Sequence, residues 1–95
     1  MPRFYSLHPR MARLRNEQLI KATAVRLKRL REHKGVTLEA FFHDTGIHLA
    51  RLESGRANIT LSTLEAVCRY FGISLAEFFS EGFEDVAPAG DASML

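Results

Sequence analysis

Apolar residues recur along this 95-residue chain at intervals of three and four, with charged or small polar residues between them. In NEQLIKATAVRLKRLREHKG, residues 16–35, Ile20, Ala24, Leu27 and Leu30 fall close to one helical face, and basic residues occupy much of the remainder. Asn16 suits the N-cap, and Gly35 suits the position just past a helix C-terminus. Thr37 then caps a short second helix, LEAFFHD, with Glu39 in the first turn, where a carboxylate meets the positive end of the helix dipole. Gly46 interrupts, and a third helix runs through LARLE to Gly55. RANIT, residues 56–60, reads as a loop. Leu61, Leu64, Val67, Cys68 and Phe71 form the apolar stripe of a fourth helix, opened by Thr60 or Ser62 and ended by Gly72. Ser74 and Glu77 have capping-box spacing and open a fifth helix through Phe78 and Phe79. No segment alternates between hairpin turns as a strand would.

The flanks lack this order. Residues 1–15, with Pro2, Pro9 and scattered aromatics, read as a basic N-terminal arm. After Glu81 the run GFEDVAPAGDASML reads as a flexible acidic tail, residues 82–95. Residues 16–81 are left as one small folded unit, and a core this modest makes an oligomer unsurprising.

Charge changes the picture more than composition does. Hydrophobic content of 46% with 25% charged residues is ordinary for a folded domain. Residues 1–35, however, carry ten Lys and Arg against Glu17 and Glu32, a net of +8. Residues 36–95 carry Arg51, Arg56 and Arg69 against nine acids, a net of −6. Such asymmetry suggests an anionic partner for the first part, or simply a solvated basic helix balanced by an acidic tail. The single cysteine, Cys68, rules out an internal disulfide, which fits a reducing cytoplasm. No apolar run approaches about 18 residues, and MPRFYSLHPR has no apolar secretory core, so no membrane role is expected.

The order GVTLEAFF, TGI, LARLESGRANITLSTLEAVCRYFGISLAEFF resembles the phage-repressor-like (Cro-type) helix-turn-helix family over residues 20–79. The carriers are Gly35, Thr37, the LxRLESG run, Asn58 and FGISLAEFF. The resemblance implies an all-α, compact five-helix repressor-like helix-turn-helix domain. In such a unit the second helix of the pair enters the major groove and the first crosses the backbone. The N–H groups behind Thr37 then point toward phosphate. The resemblance also implies a backbone grip by Arg56 and Asn58 and a structural ion pair between Arg31 and Glu53.

One departure matters. Leu49 follows Gly46 by three residues, about three fewer than the family pattern provides. If Gly46 is the turn glycine, the third helix has lost its first turn. If the register is counted back from Glu53, that helix is whole, Asp44 or Thr45 caps it, and the shortening falls in the turn. The second register is preferred, because it offers a chemically suitable cap, faces Leu49 and Leu52 to the core, and presents Thr45, His48 and Arg51 to solvent.

The candidate DNA-binding residues are therefore Thr37, Thr45, His48, Arg51, Arg56 and Asn58. Arginine is the commonest reader of guanine, which favours Arg51 over a plain surface role. His48 either donates to a base or phosphate or packs beside the turn. The arm's arginines either enter the minor groove or form a nonspecifically attracted tail. His8, His33, His43 and His48 form no metal pattern with the lone thiol of Cys68, which is expected in the core. Of the pairs Phe41–Phe42 and Phe78–Phe79, one ring each is expected to face outward and mark a subunit contact.

The expected function is a sequence-specific transcriptional regulator of bacterial or phage origin, a small repressor or an antitoxin. It would bind double-stranded DNA as a homodimer, with recognition helices about 34 Å apart, and act in the cytoplasm, nucleoid-associated when bound. A toxin is a candidate protein partner. No cofactor, metal or enzymatic activity is expected, since nucleophile elbow, phosphate-binding loop and metal-ligand cluster are all missing from the sequence. The alternative is a protein-interaction module on the same scaffold that no longer reads DNA.

Overall fold

A computed structural model describes residues 14–86. Residues 1–13, including Arg3, Arg10 and Arg13 of the arm, lie outside the described residues, as do residues 87–95 of the tail. The described chain forms five helices: α1 (Glu17–Lys34), α2 (Leu38–Thr45), α3 (Leu49–Glu53), α4 (Leu61–Phe71) and α5 (Leu75–Phe78).

Local chemistry sets most of the boundaries. The Asn16 side chain accepts a 2.9 Å hydrogen bond from the Leu19 N–H and opens α1. Thr37 and Thr60 accept in the same way from the N–H groups of Ala40 and Thr63, opening α2 and α4. Ser74 and Glu77 exchange both bonds of the capping box, at 3.0 and 2.9 Å. Gly35 ends α1 at φ 70°, so that the Val36 N–H turns back to the Arg31 carbonyl at 3.2 Å.

The core forms where the predicted stripes meet, except that Leu61, expected on the stripe of α4, stands at the first turn of that helix and is exposed. Leu27 and Leu30 of α1, Phe41 of α2, Leu49 of α3, Leu64, Val67, Cys68 and Phe71 of α4, and Phe78 of α5 make one buried cluster. Phe41 is fully enclosed and stacks on Phe71, with centroids 5.5 Å apart. Ile20 and Ala24 extend the apolar face of α1, and Thr23 joins it by donating its hydroxyl to the Leu19 carbonyl at 2.8 Å. The packed chain continues beyond Glu81. The Phe83 ring lies 4.9 Å from that of Phe79, and the Gln18 side-chain amide donates to the Asp85 carbonyl.

Two arginines of α1 hold other elements to it. Arg26 donates to the carbonyls of Phe78 (2.7 Å) and Glu77 (3.0 Å) and to the Glu81 carboxylate (3.2 Å), closing the end of α5. Arg31 makes the expected pair with Glu53. Its Nε and Nη2 donate to the two carboxylate oxygens at 2.8 and 3.1 Å, and Nη1 donates to the Val36 carbonyl at 3.0 Å. The two side chains are only 13% and 7% exposed, so the fork is shielded from water.

Removing one partner strands the other's charge. Arg31→Ala or Glu53→Ala is expected to lower the unfolding free energy in urea by about 3–5 kcal/mol. A paired Arg31→Met, Glu53→Leu replacement should recover a large part of that loss, and urea titration of the three variants measures both.

Candidate nucleic-acid interface

The outer edge of α2 and α3 is built around the shortened turn, and here the structure corrects the preferred register. Gly46 closes α2 in the left-handed region at φ 76°, donating its N–H to the Phe42 carbonyl at 2.7 Å. It is therefore the turn glycine and not a residue of the next helix's first turn. α3 contains five residues and begins at Leu49. Neither Asp44 nor Thr45 caps it, and the capping position is taken by His48, which makes no side-chain cap bond. The shortening expected from the family pattern therefore falls at the start of α3. The physical reason is that glycine reaches positive φ without Cβ strain, so it ends a helix more cheaply than it begins one.

The predicted site residues divide accordingly. Thr45 is the last residue of α2 and half-buried. Its hydroxyl donates to the Phe41 carbonyl at 2.8 Å and accepts from the Ile47 N–H at 3.0 Å, so it braces the turn instead of standing on the outer face. Asp44 accepts a 2.6 Å bond from the Tyr70 hydroxyl and ties the end of α2 to α4. His48 is exposed, with its ring stacked on Phe42 at 4.3 Å and 25°. Arg51 is exposed on α3, and no described residue pairs with its guanidinium. His48 and Arg51 share a shallow depression of about 290 Å³ with Asn58, Thr60 and Thr63.

Thr37 stands at the far end of α2, exposed, with its side chain committed to the Ala40 N–H. That leaves the first amides of α2 available to an anion, although Glu39 lies in the same turn. Arg56 and Asn58 are exposed in the loop after Gly55. This loop is pinned from the N-terminal side: Arg15 Nη2 donates to the Arg56 carbonyl at 2.8 Å, and Asn58 Nδ2 donates to the Leu14 carbonyl at 3.2 Å. One of Asn58's two polar groups is therefore spent on the chain itself, while the guanidinium of Arg56 has no partner among the described residues.

Sequence reasoning missed Arg15 at this edge, and it expected an outward ring from the Phe41–Phe42 pair but placed it at a subunit contact. Nothing local signals a contact across 41 residues, as between Arg15 and Arg56. For Phe42 the signal was present, since one of two adjacent helical phenylalanines must leave the core face.

A model of the helix-turn-helix family matches residues 27–78, more than half of the chain and the whole of α2, the turn and α3. The chain belongs to the phage-repressor-like helix-turn-helix family. That family is one of DNA-binding regulatory domains and not a class of enzyme. No curated protein and no solved structure matches the chain. No helix among the described residues of this helix-turn-helix domain is long and apolar enough to cross a membrane.

The tie between the end of α2 and α4 has a pH signature. The Tyr70 hydroxyl, and after it His43, holds the Asp44 carboxyl below its ordinary range. Its contribution is present above the unfolded carboxyl's pKa of about 3.9 and is lost as pH falls through the lower folded value. The same bond pushes the Tyr70 phenol up, so that its contribution is present below about pH 10 and lost as pH rises past the raised value. Tyr70→Phe is therefore expected to melt below the parent across the neutral range, with the gap between the two Tm curves narrowing in acid. An unchanged gap at about pH 2 would assign the difference to packing instead.

Proposed function

We propose that this domain is a sequence-specific regulator that reads the major groove of double-stranded DNA with the short segment His48–Arg51. The observation that carries the reading is the unpaired, exposed guanidinium of Arg51, beside His48 and above a depression continuous with the Asn58 loop. Arginine's planar fork matches the O6 and N7 acceptors of guanine. Thr37 with the first amides of α2, and the guanidinium of Arg56, act as phosphate contacts that set register without reading sequence. Thr45 contributes by holding the turn.

The regulator acts as a small repressor or as the antitoxin of a toxin–antitoxin pair, in the cytoplasm of a bacterium and on its nucleoid. A homodimer reading a two-fold site is supported by an exposed apolar patch that adjoins the Asn58 loop and does not include Arg51. Leu61 is 72% exposed and Phe79 41%, and they rim a groove with Leu19, Asn16 and Thr23 in which no lining residue is charged. An isologous contact needs such a surface, since each copy meets its own patch. The same patch and the clipped α3 favour the second reading, a protein-interaction module that no longer reads DNA.

Random-library DNA selection with the full chain separates the two. An enriched motif is expected from the parent, and Arg51→Ala should lose at least one preferred base, with about tenfold or greater loss of affinity for the parent motif. Affinity should also fall steeply between low and physiological salt. No enrichment from the parent would favour the interaction module. Leu61→Glu, at an exposed first residue of α4, should shift sedimentation from dimer to monomer while leaving helical content unchanged.

A further inference from the structure

The outward edge of the clipped unit carries an aromatic group that the fold does not need. Phe41 already fills the core position of α2 and is fully enclosed, whereas its neighbour Phe42 is 43% exposed. One ring face of Phe42 is held by the stack with His48, centroids 4.3 Å apart. Leu38, one helical turn earlier, is 36% exposed and continues the same apolar strip. α3 itself supplies little else to this edge: Leu49 is buried, Leu52 and Glu53 are half-buried, and Ala50 has only a methyl group. The surface that leads into a groove is therefore Phe42, His48 and Arg51.

A phenyl ring gains nothing from phosphate and cannot hydrogen-bond to a base edge. In the major groove the one apolar feature that differs among base pairs is the C5-methyl of thymine, while cytosine offers an amino donor. We infer that the Phe42–His48 pair contacts a thymine methyl next to the base read by Arg51, and so acts as a second specificity determinant. The inference rests on the DNA-reading function proposed above. His48 positions the ring, and its stack with Phe42 stands where the lost first turn of α3 would have carried polar readers. A ring that merely covered the start of α3 would alter stability and leave base preference untouched.

The test uses the full chain and the motif obtained by library selection. Each thymine of the motif is replaced in turn by uracil, which removes the methyl and leaves the pairing edge intact. Uracil at one thymine adjoining the Arg51-dependent base is expected to weaken binding about fourfold. The same replacement should be silent for Phe42→Ala, whose folding is checked by circular dichroism. Because the uracil series on the parent needs no variant, a poorly folded Phe42→Ala leaves the inference open to refutation. A motif without such a uracil-sensitive thymine, or one whose sensitivity survives in folded Phe42→Ala, overturns the inference while sparing the DNA-reading function. Failure of the parent to select any motif overturns both.

Discussion

The buried fork between Arg31 and Glu53 is the constraint on which the arrangement of the outer edge depends. α3 has five residues, too few for a stable helix on its own in water. Its last residue, Glu53, is clamped by two hydrogen bonds to the long helix α1, and the third donor of Arg31 holds the Val36 carbonyl just ahead of α2. One guanidinium thus sets the end of α1, the entry to α2 and the end of α3 in a single geometry. Leu49, sealed in the core at the other end of α3, fixes its rotation, so that Arg51 must point outward.

The front of α3 is secured differently, because the shortening removed the turn that would have capped it. Three contacts replace that turn. Gly46 reverses the chain, the Thr45 hydroxyl links the Phe41 carbonyl to the Ile47 N–H, and the Tyr70–Asp44 bond anchors the end of α2 to α4. The Phe42 ring then lies under His48. At the start of the short α3 the exposed surface is thus aromatic, a Phe42–His48 stack with no side-chain cap.

Positive charge is also spent more narrowly than its density along the chain suggests. Arg26 and Arg31 are tied to α5 and α3, and Arg15 bonds both Glu17 and the Arg56 carbonyl. The surplus of α1 therefore serves assembly as well as any anionic partner. The loop after Gly55 is braced by Leu14 and Arg15, the first described residues of the chain.

The helices and most of their ends, the α2–α3 junction at Gly46 excepted, were legible in the sequence by itself, because their causes are local. Asn16, Thr37, Thr60 and Ser74 each bond an N–H within the next three residues, and Gly35 and Gly72 each end a helix by reaching a φ that other residues avoid. The three-four spacing of Leu27, Leu30, Leu64, Val67 and Phe71 likewise states which faces are buried, and the family resemblance supplied the Arg31–Glu53 pair. The site was only partly legible. Where α3 begins, whether Thr45 faces outward, which phenylalanine of the 41–42 pair leaves the core, and what Asn58 and Arg15 hold were decided by tertiary structure. Those outcomes turn on which of several suitable hydrogen-bond and ring partners is brought within reach once the core closes, over separations of up to 44 residues, and spacing along a chain carries no such information.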